Sequence, residues 1–115
     1  MPFGLIKASL SLSRAMPDTV TITVLLNLKP EATAIFCAAL PEMLKDTRNF
    51  PGFRSIRVLK NKADANQLIF IEEWDSEEDY GAYIAWRTER GDMDSSAGAH
   101  ATPPRIDVWP TVVTS

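Results

Sequence analysis

Residues 67–91 read QLIFIEEWDSEEDYGAYIAWRTERG, and the hydrophobic period changes in the middle of this stretch. Up to residue 75 it alternates. Leu68, Phe70, Glu72 and Trp74 fall on one face of a strand, and Ile69, Ile71 and Glu73 on the other. Both faces are mostly apolar, as in a strand covered on both sides. Ser76 then offers a helix N-cap, and Glu77, Glu78 and Asp79 place three acids in the first turn, where the helix dipole favours them. Tyr80, Tyr83, Ile84 and Arg87 share one side of the following helix, with Ala82, Trp86 and Arg90 offset by about 100° or less. Gly91 suits the position just past the helix end.

The rest of the chain completes a pattern around this strand and helix. Residues 19–28 (TVTITVLLNL) form a strand with Val20, Ile22, Val24, Leu26 and Leu28 on one face. A helix follows from Pro30 to about Arg48, with its apolar stripe at Ala32, Ile35, Phe36, Ala39, Leu40, Met43 and Leu44. Pro41 lies inside it, so a kink or break is expected there. Residues 53–62 form a second strand, joined by the polar connection NKADAN at 61–66 to the strand described above. After Gly91 a small, polar, flexible-looking loop runs to Pro104, and a last strand spans 105–113.

The order β-α-β-β-α-β predicts an α+β, ferredoxin-like fold: four antiparallel strands in one sheet, both helices on one face. The uncovered face is expected to carry Leu25, Phe70, Trp74 and Trp109, too much apolar surface to leave wet. Either a second copy of the sheet or a bound ligand would cover it, so a homodimer is expected.

At 115 residues the chain holds one domain, 19–115, behind an N-terminal arm, 1–18. The arm contains three serines, Lys7 and Arg14, and no acid before Asp18. It matches a secretory signal poorly, Met16 stands as a second candidate start, and support from a partner subunit is expected. The net charge of −3 offers no basic footprint for nucleic acid, and no apolar run approaches the length of a membrane span. Cys37 is the one cysteine and His100 the one histidine, so no internal disulfide and no multi-histidine metal site can form within a chain. A cytoplasmic location is expected.

Three stretches, VTITVLLNLKPE, LPEMLKDTRNFPGFRSIRVLKN and IFIEEWDSEEDYGAYIAWRTERGDM, resemble the antibiotic biosynthesis monooxygenase (ABM) family over residues 19–109. The resemblance implies a dimeric α/β barrel with a pocket for a flat organic molecule. Some family members oxidise quinols or polycyclic anthrones with molecular oxygen and use no metal, flavin or haem. Others degrade haem. That branch fits poorly, because Val24 stands where it has an asparagine and the second helix carries no histidine.

The expected activity is therefore a cofactor-independent monooxygenase acting on a small aromatic or quinol-type compound. The alternative is a non-catalytic, dimeric small-molecule-binding or stress-related module. Glu72 is a candidate proton acceptor and Trp74 a stacking wall on the same strand face, against the plainer reading of a core tryptophan and an arginine-paired glutamate. Arg87 is a candidate anchor for a phenolate and Trp86 a pocket cap, against a helix-end arginine beside a core aromatic. His100 is a candidate lid residue that exchanges a proton, or an ordinary surface histidine. Asn27 either points into the pocket or caps the turn before Pro30. Tyr80 and Tyr83 read as core.

Overall fold

The computed structural model describes residues 19–115, so the expectations for the N-terminal arm lie outside the described residues. The elements are β1 (Val20–Leu28), α1 (Pro30–Arg48), β2 (Phe53–Asn61), β3 (Asp64–Trp74), α2 (Glu77–Glu89), a short α3 (Asp92–Ser96), a 3-10 turn (Ala97–Ala99) and β4 (His100–Pro110). The strands form one antiparallel sheet in the order β2-β3-β1-β4. This is the ferredoxin-like arrangement that the element order predicts.

Register decides which side chains meet the helices. Val20 lies opposite Trp74, Ile22 opposite Glu72, Val24 opposite Phe70 and Leu26 opposite Leu68. These residues share one face, and they pack with Leu40 of α1 and with Tyr80 and Tyr83 of α2 in the core. Phe70 and Trp74 therefore lie beneath the helices, not on the uncovered face as expected. The reason is register: the fully apolar face of β1 aligns with the Leu68–Trp74 face of β3, and a slip of one residue would reverse both. The uncovered face carries Leu25, Ile69, Ile71 and Trp109, and the Trp109 indole donates to Thr23 Oγ1 at 2.7 Å.

Three local expectations are corrected. First, α1 is not broken at Pro41, which is exposed, so the carbonyl it frees need not be satisfied inside the core. The apolar stripe is also narrower than its sequence: Ile35 is 75% exposed, while Thr47 is buried. Second, the 61–66 connection is a hairpin, as expected, but a tighter one, because β3 begins at Asp64 rather than Gln67. Asn61 pairs with Asp64, and Asn61 Oδ1 accepts from the Ala63 amide at 2.8 Å. Third, the polar stretch after Gly91 is largely structured. It holds α3 and the 3-10 turn, and β4 begins at His100 rather than Arg105. As an edge strand, β4 can hold Pro103 and Pro104, which donate no ladder hydrogen bond. Register slips at Leu25–Asn27 and Asn27–Leu28 absorb the irregularity.

The boundaries of α2 follow the sequence signals. The Asp79 amide donates to Ser76 Oγ at 3.1 Å, closing the N-terminus, and Gly91 has φ 82° just past Arg90.

Candidate functional site

A cavity of about 540 Å³ lies between the sheet and the helices. Val24, Leu26, Phe70 and Glu72 form its floor; Phe36 and Met43 of α1 and Tyr80, Tyr83, Ile84 and Arg87 of α2 form its roof. Met93 and Ser96 of α3 and His100 and Ile106 of β4 line its side. Its size falls within the range of small-molecule sites, about 300–1,000 Å³, and its walls are mainly apolar with a few polar groups.

Glu72 is 3% exposed. Its Oε1 accepts from the indole Nε1 of Trp74 at 2.9 Å, and Trp74 is 0% exposed. Trp74 is fixed in turn by edge-on contacts with Phe53, Phe50 and Tyr80 and a tilted one with Tyr83, so its indole N–H has little freedom to turn away. Glu72 forms no ion pair among the described residues, which excludes the expected arginine partner there. Desolvation pushes its pKa above the ordinary carboxylate value, and the Trp74 bond offsets part of this. The nearby Tyr80 hydroxyl is also held protonated, by burial first and then by electrostatic repulsion from its neighbours, Glu72 foremost.

Arg87 is 5% exposed and spends its donors on protein acceptors. Its Nε donates to the Tyr83 hydroxyl at 2.9 Å and Nη1 to Asp92 Oδ2 at 2.8 Å. Its Nη2 donates to the Met43 carbonyl at 2.8 Å and to Thr47 Oγ1 at 3.0 Å. The Thr47 and Tyr83 hydroxyls share a further bond of 2.7 Å. This network ties α1, α2 and α3 together. Burial opposes the Arg87 charge, but the bonds to Asp92 and Tyr83 outweigh it, so the guanidinium is held more firmly protonated than usual. The guanidinium carbon also lies 5.3 Å from the ring centres of Tyr83 and Trp86.

His100 Nδ1 is buried with no hydrogen-bond partner among the described residues, and the ring stands edge-on to Phe36 at 6.0 Å. Burial lowers its pKa, which favours neutral imidazole. His100 pairs across the sheet with Leu28, and Glu72 with Ile22. Those positions are separated by about 20 Å along β1, at roughly 3.3 Å per residue. The two titratable groups therefore occupy opposite ends of the cavity and do not meet at one atom.

The cavity lining thus includes three of the six candidates, Glu72, Arg87 and His100, but not Trp74, Trp86 or Asn27. Trp74 lies behind Glu72. Trp86 sits outside the lining, stacked beneath Arg90, whose guanidinium carbon is 4.5 Å from its ring centre. Asn27 lies on the opposite sheet face, where its Oδ1 accepts from Gln67 Nε2 at 2.9 Å and its Nδ2 donates to Thr102 Oγ1 at 3.3 Å. It bridges three strands and neither enters the cavity nor caps the turn before Pro30. Sequence reasoning missed Thr47 and Asp92. Thr47 did leave a signal: it continues the Phe36–Leu40–Met43 spacing of α1 on the buried side.

The sequence matches the family model described as antibiotic biosynthesis monooxygenase over residues 19–88. No curated protein matches it significantly. Among solved structures, a conserved protein from Methanosarcina mazei superposes with TM-score 0.74 at 14% identity, covering 84% of this chain and 95% of that one. A mutant of SnoaB, a cofactor-independent oxygenase from Streptomyces nogalater, gives 0.72 at 15% identity, covering 84% and 96%. A protein from Nitrosomonas europaea described as a putative antibiotic biosynthesis monooxygenase gives 0.68 at 19% identity, covering 88% and 96%. At these identities the structural likeness is one of fold. No described helix is long and apolar enough to cross a membrane.

Proposed function

Since the chain belongs to the antibiotic biosynthesis monooxygenase family, we propose that it is a cofactor-independent monooxygenase whose substrate is a flat, hydroxylated aromatic or quinol-type molecule. The observation that carries this reading is the cavity between sheet and helices, with Glu72 buried in its floor. An anthrone-type substrate illustrates the reaction. A ring methylene reacts with molecular oxygen to give a ring carbonyl and water, so the substrate supplies the electrons that reduce oxygen.

The protein's tasks are to bind the ring, accept a proton and keep water away from the resulting anion. Ionised Glu72 is the assigned proton acceptor. Desolvation raises its basicity, and Trp74 fixes its orientation. Neutral His100 contacts the far end of the ligand, and Phe36, Phe70 and Tyr83 supply its apolar and aromatic walls. Arg87 holds the roof together rather than the substrate. In the same proposal a second copy of the chain covers Leu25, Ile69, Ile71 and Trp109 on the open sheet face, and the dimer works in the cytoplasm.

The test is oxygen uptake by the purified protein against a panel of anthrones and quinols. Uptake dependent on substrate, and strongly reduced by Glu72→Gln, is expected. A panel that never exceeds the uncatalysed rate rejects the reading. Ligand retention without turnover would then favour the non-catalytic binding module, which the committed donors of Arg87 already suit.

A further inference from the structure

Charge in the cavity is distributed in a way that selects among flat molecules. Its wall contains two guanidinium groups, Arg87 and Arg90. Arg87 is bonded to Asp92, Tyr83, Thr47 and the Met43 carbonyl. Arg90 pairs with Asp46 Oδ2 at 3.1 Å and lies 3.7 Å from Asp92 Oδ2. Both cations are thus matched to protein carboxylates before any ligand arrives. Glu72, in the same lining, accepts one hydrogen bond from Trp74 and forms no ion pair among the described residues.

We propose that this cavity recognises an uncharged ligand through a hydroxyl donated to Glu72 and turns away the corresponding carboxylate. A buried anion without a cation is costly, because the interior replaces none of its hydration. An anionic ligand would face that penalty beside a carboxyl group that itself has no counter-ion. A phenol avoids it and supplies a donor to the Glu72 carboxyl, of which only Oε1 accepts a hydrogen bond among the described residues. His100 adds no positive charge to attract an anion, since its burial favours the neutral ring. This specificity rests on the proposed site but not on its chemistry. Carboxylated polycycles are excluded as ligands, and their neutral, hydroxylated counterparts are admitted.

The experiment is calorimetric titration of the full chain with 2-naphthol and 2-naphthoate at pH 7. They share one ring system and differ mainly in charge. The naphthol is expected to bind at least about tenfold more tightly, a difference of ~1.4 kcal/mol. Two variants move the ratio by separate routes. Glu72→Gln removes the carboxylate, and Asp92→Asn releases the charge of Arg87. Each is expected to narrow the preference by several-fold, and Asp92→Asn, at a partly exposed position, also serves if Glu72→Gln fails to fold. A naphthoate that binds as tightly as the naphthol overturns the inference, as does failure of both probes to bind a folded protein. A preference unchanged in every variant that folds also overturns it. Because no oxygen is consumed, preserved discrimination without oxygen uptake sinks only the oxygenase reading.

Discussion

Replacing Arg87 by methionine tests whether the helical layer depends on one side chain. Methionine preserves much of the buried stem but removes all four donated hydrogen bonds. The Met43 carbonyl and Asp92 lose a charged donor, while the Thr47–Tyr83 bond can persist. Removing one partner from a buried charged network costs ~3–5 kcal/mol. The Asp92 side chain is 31% exposed, so water recovers part of that interaction, and about 3 kcal/mol is the expected loss. For a domain of this size that corresponds to a fall in Tm of roughly 15 °C. Urea unfolding followed by circular dichroism would measure it as a lower midpoint at unchanged slope. Arg87→Lys should recover less than half, because one ammonium cannot reproduce the planar fork. A loss below about 1 kcal/mol for the methionine variant would refute the idea that this network joins the three helices.

The buried Glu72 carboxyl also makes stability depend on pH. Its native pKa lies above the unfolded value near 4.5, so the native state binds the extra proton within that interval. Stability from this group therefore falls as pH rises from about 4.5 through the raised value. Glu72→Gln removes the decline, so the variant should gain on the wild type with rising pH. The lowered pKa of His100 acts with opposite sign and cancels in that comparison. Urea midpoints from pH 4 to pH 8 that stay parallel would contradict the assignment. At Gly52 the backbone has φ 91°, and an added Cβ would stand 2.5 Å from the Asp79 side chain. Gly52→Ala should therefore destabilise by ~2 kcal/mol in thermal unfolding, and an unchanged Tm would show that the turn relaxes freely.

The strands, both long helices and the order that makes them ferredoxin-like were legible in the sequence because they arise from local periodicity and capping. Ser76 and Gly91 delimit α2 through their own backbone chemistry, with little help from the rest of the chain. The beginning of β4 was not legible: only pairing with β1 makes a strand of a segment containing Pro103 and Pro104. Tertiary structure also decided which face of β3 lies under the helices, since alternation fixes two faces but not which is covered. The site shows the same division. Sequence could nominate Glu72, Trp74, Arg87 and His100 as chemically capable groups. Only the fold could put Trp74 behind Glu72, spend Arg87 on Asp92, Tyr83, Thr47 and Met43, send Asn27 to the opposite face, and set His100 at the far end of the cavity. Those outcomes depend on contacts between residues 75 and 44 positions apart in the chain, as Asn27 with Thr102 and Arg87 with Met43 illustrate. Local sequence determines how a segment can fold, whereas the partner of a buried polar group is set by what the assembled layers bring within reach.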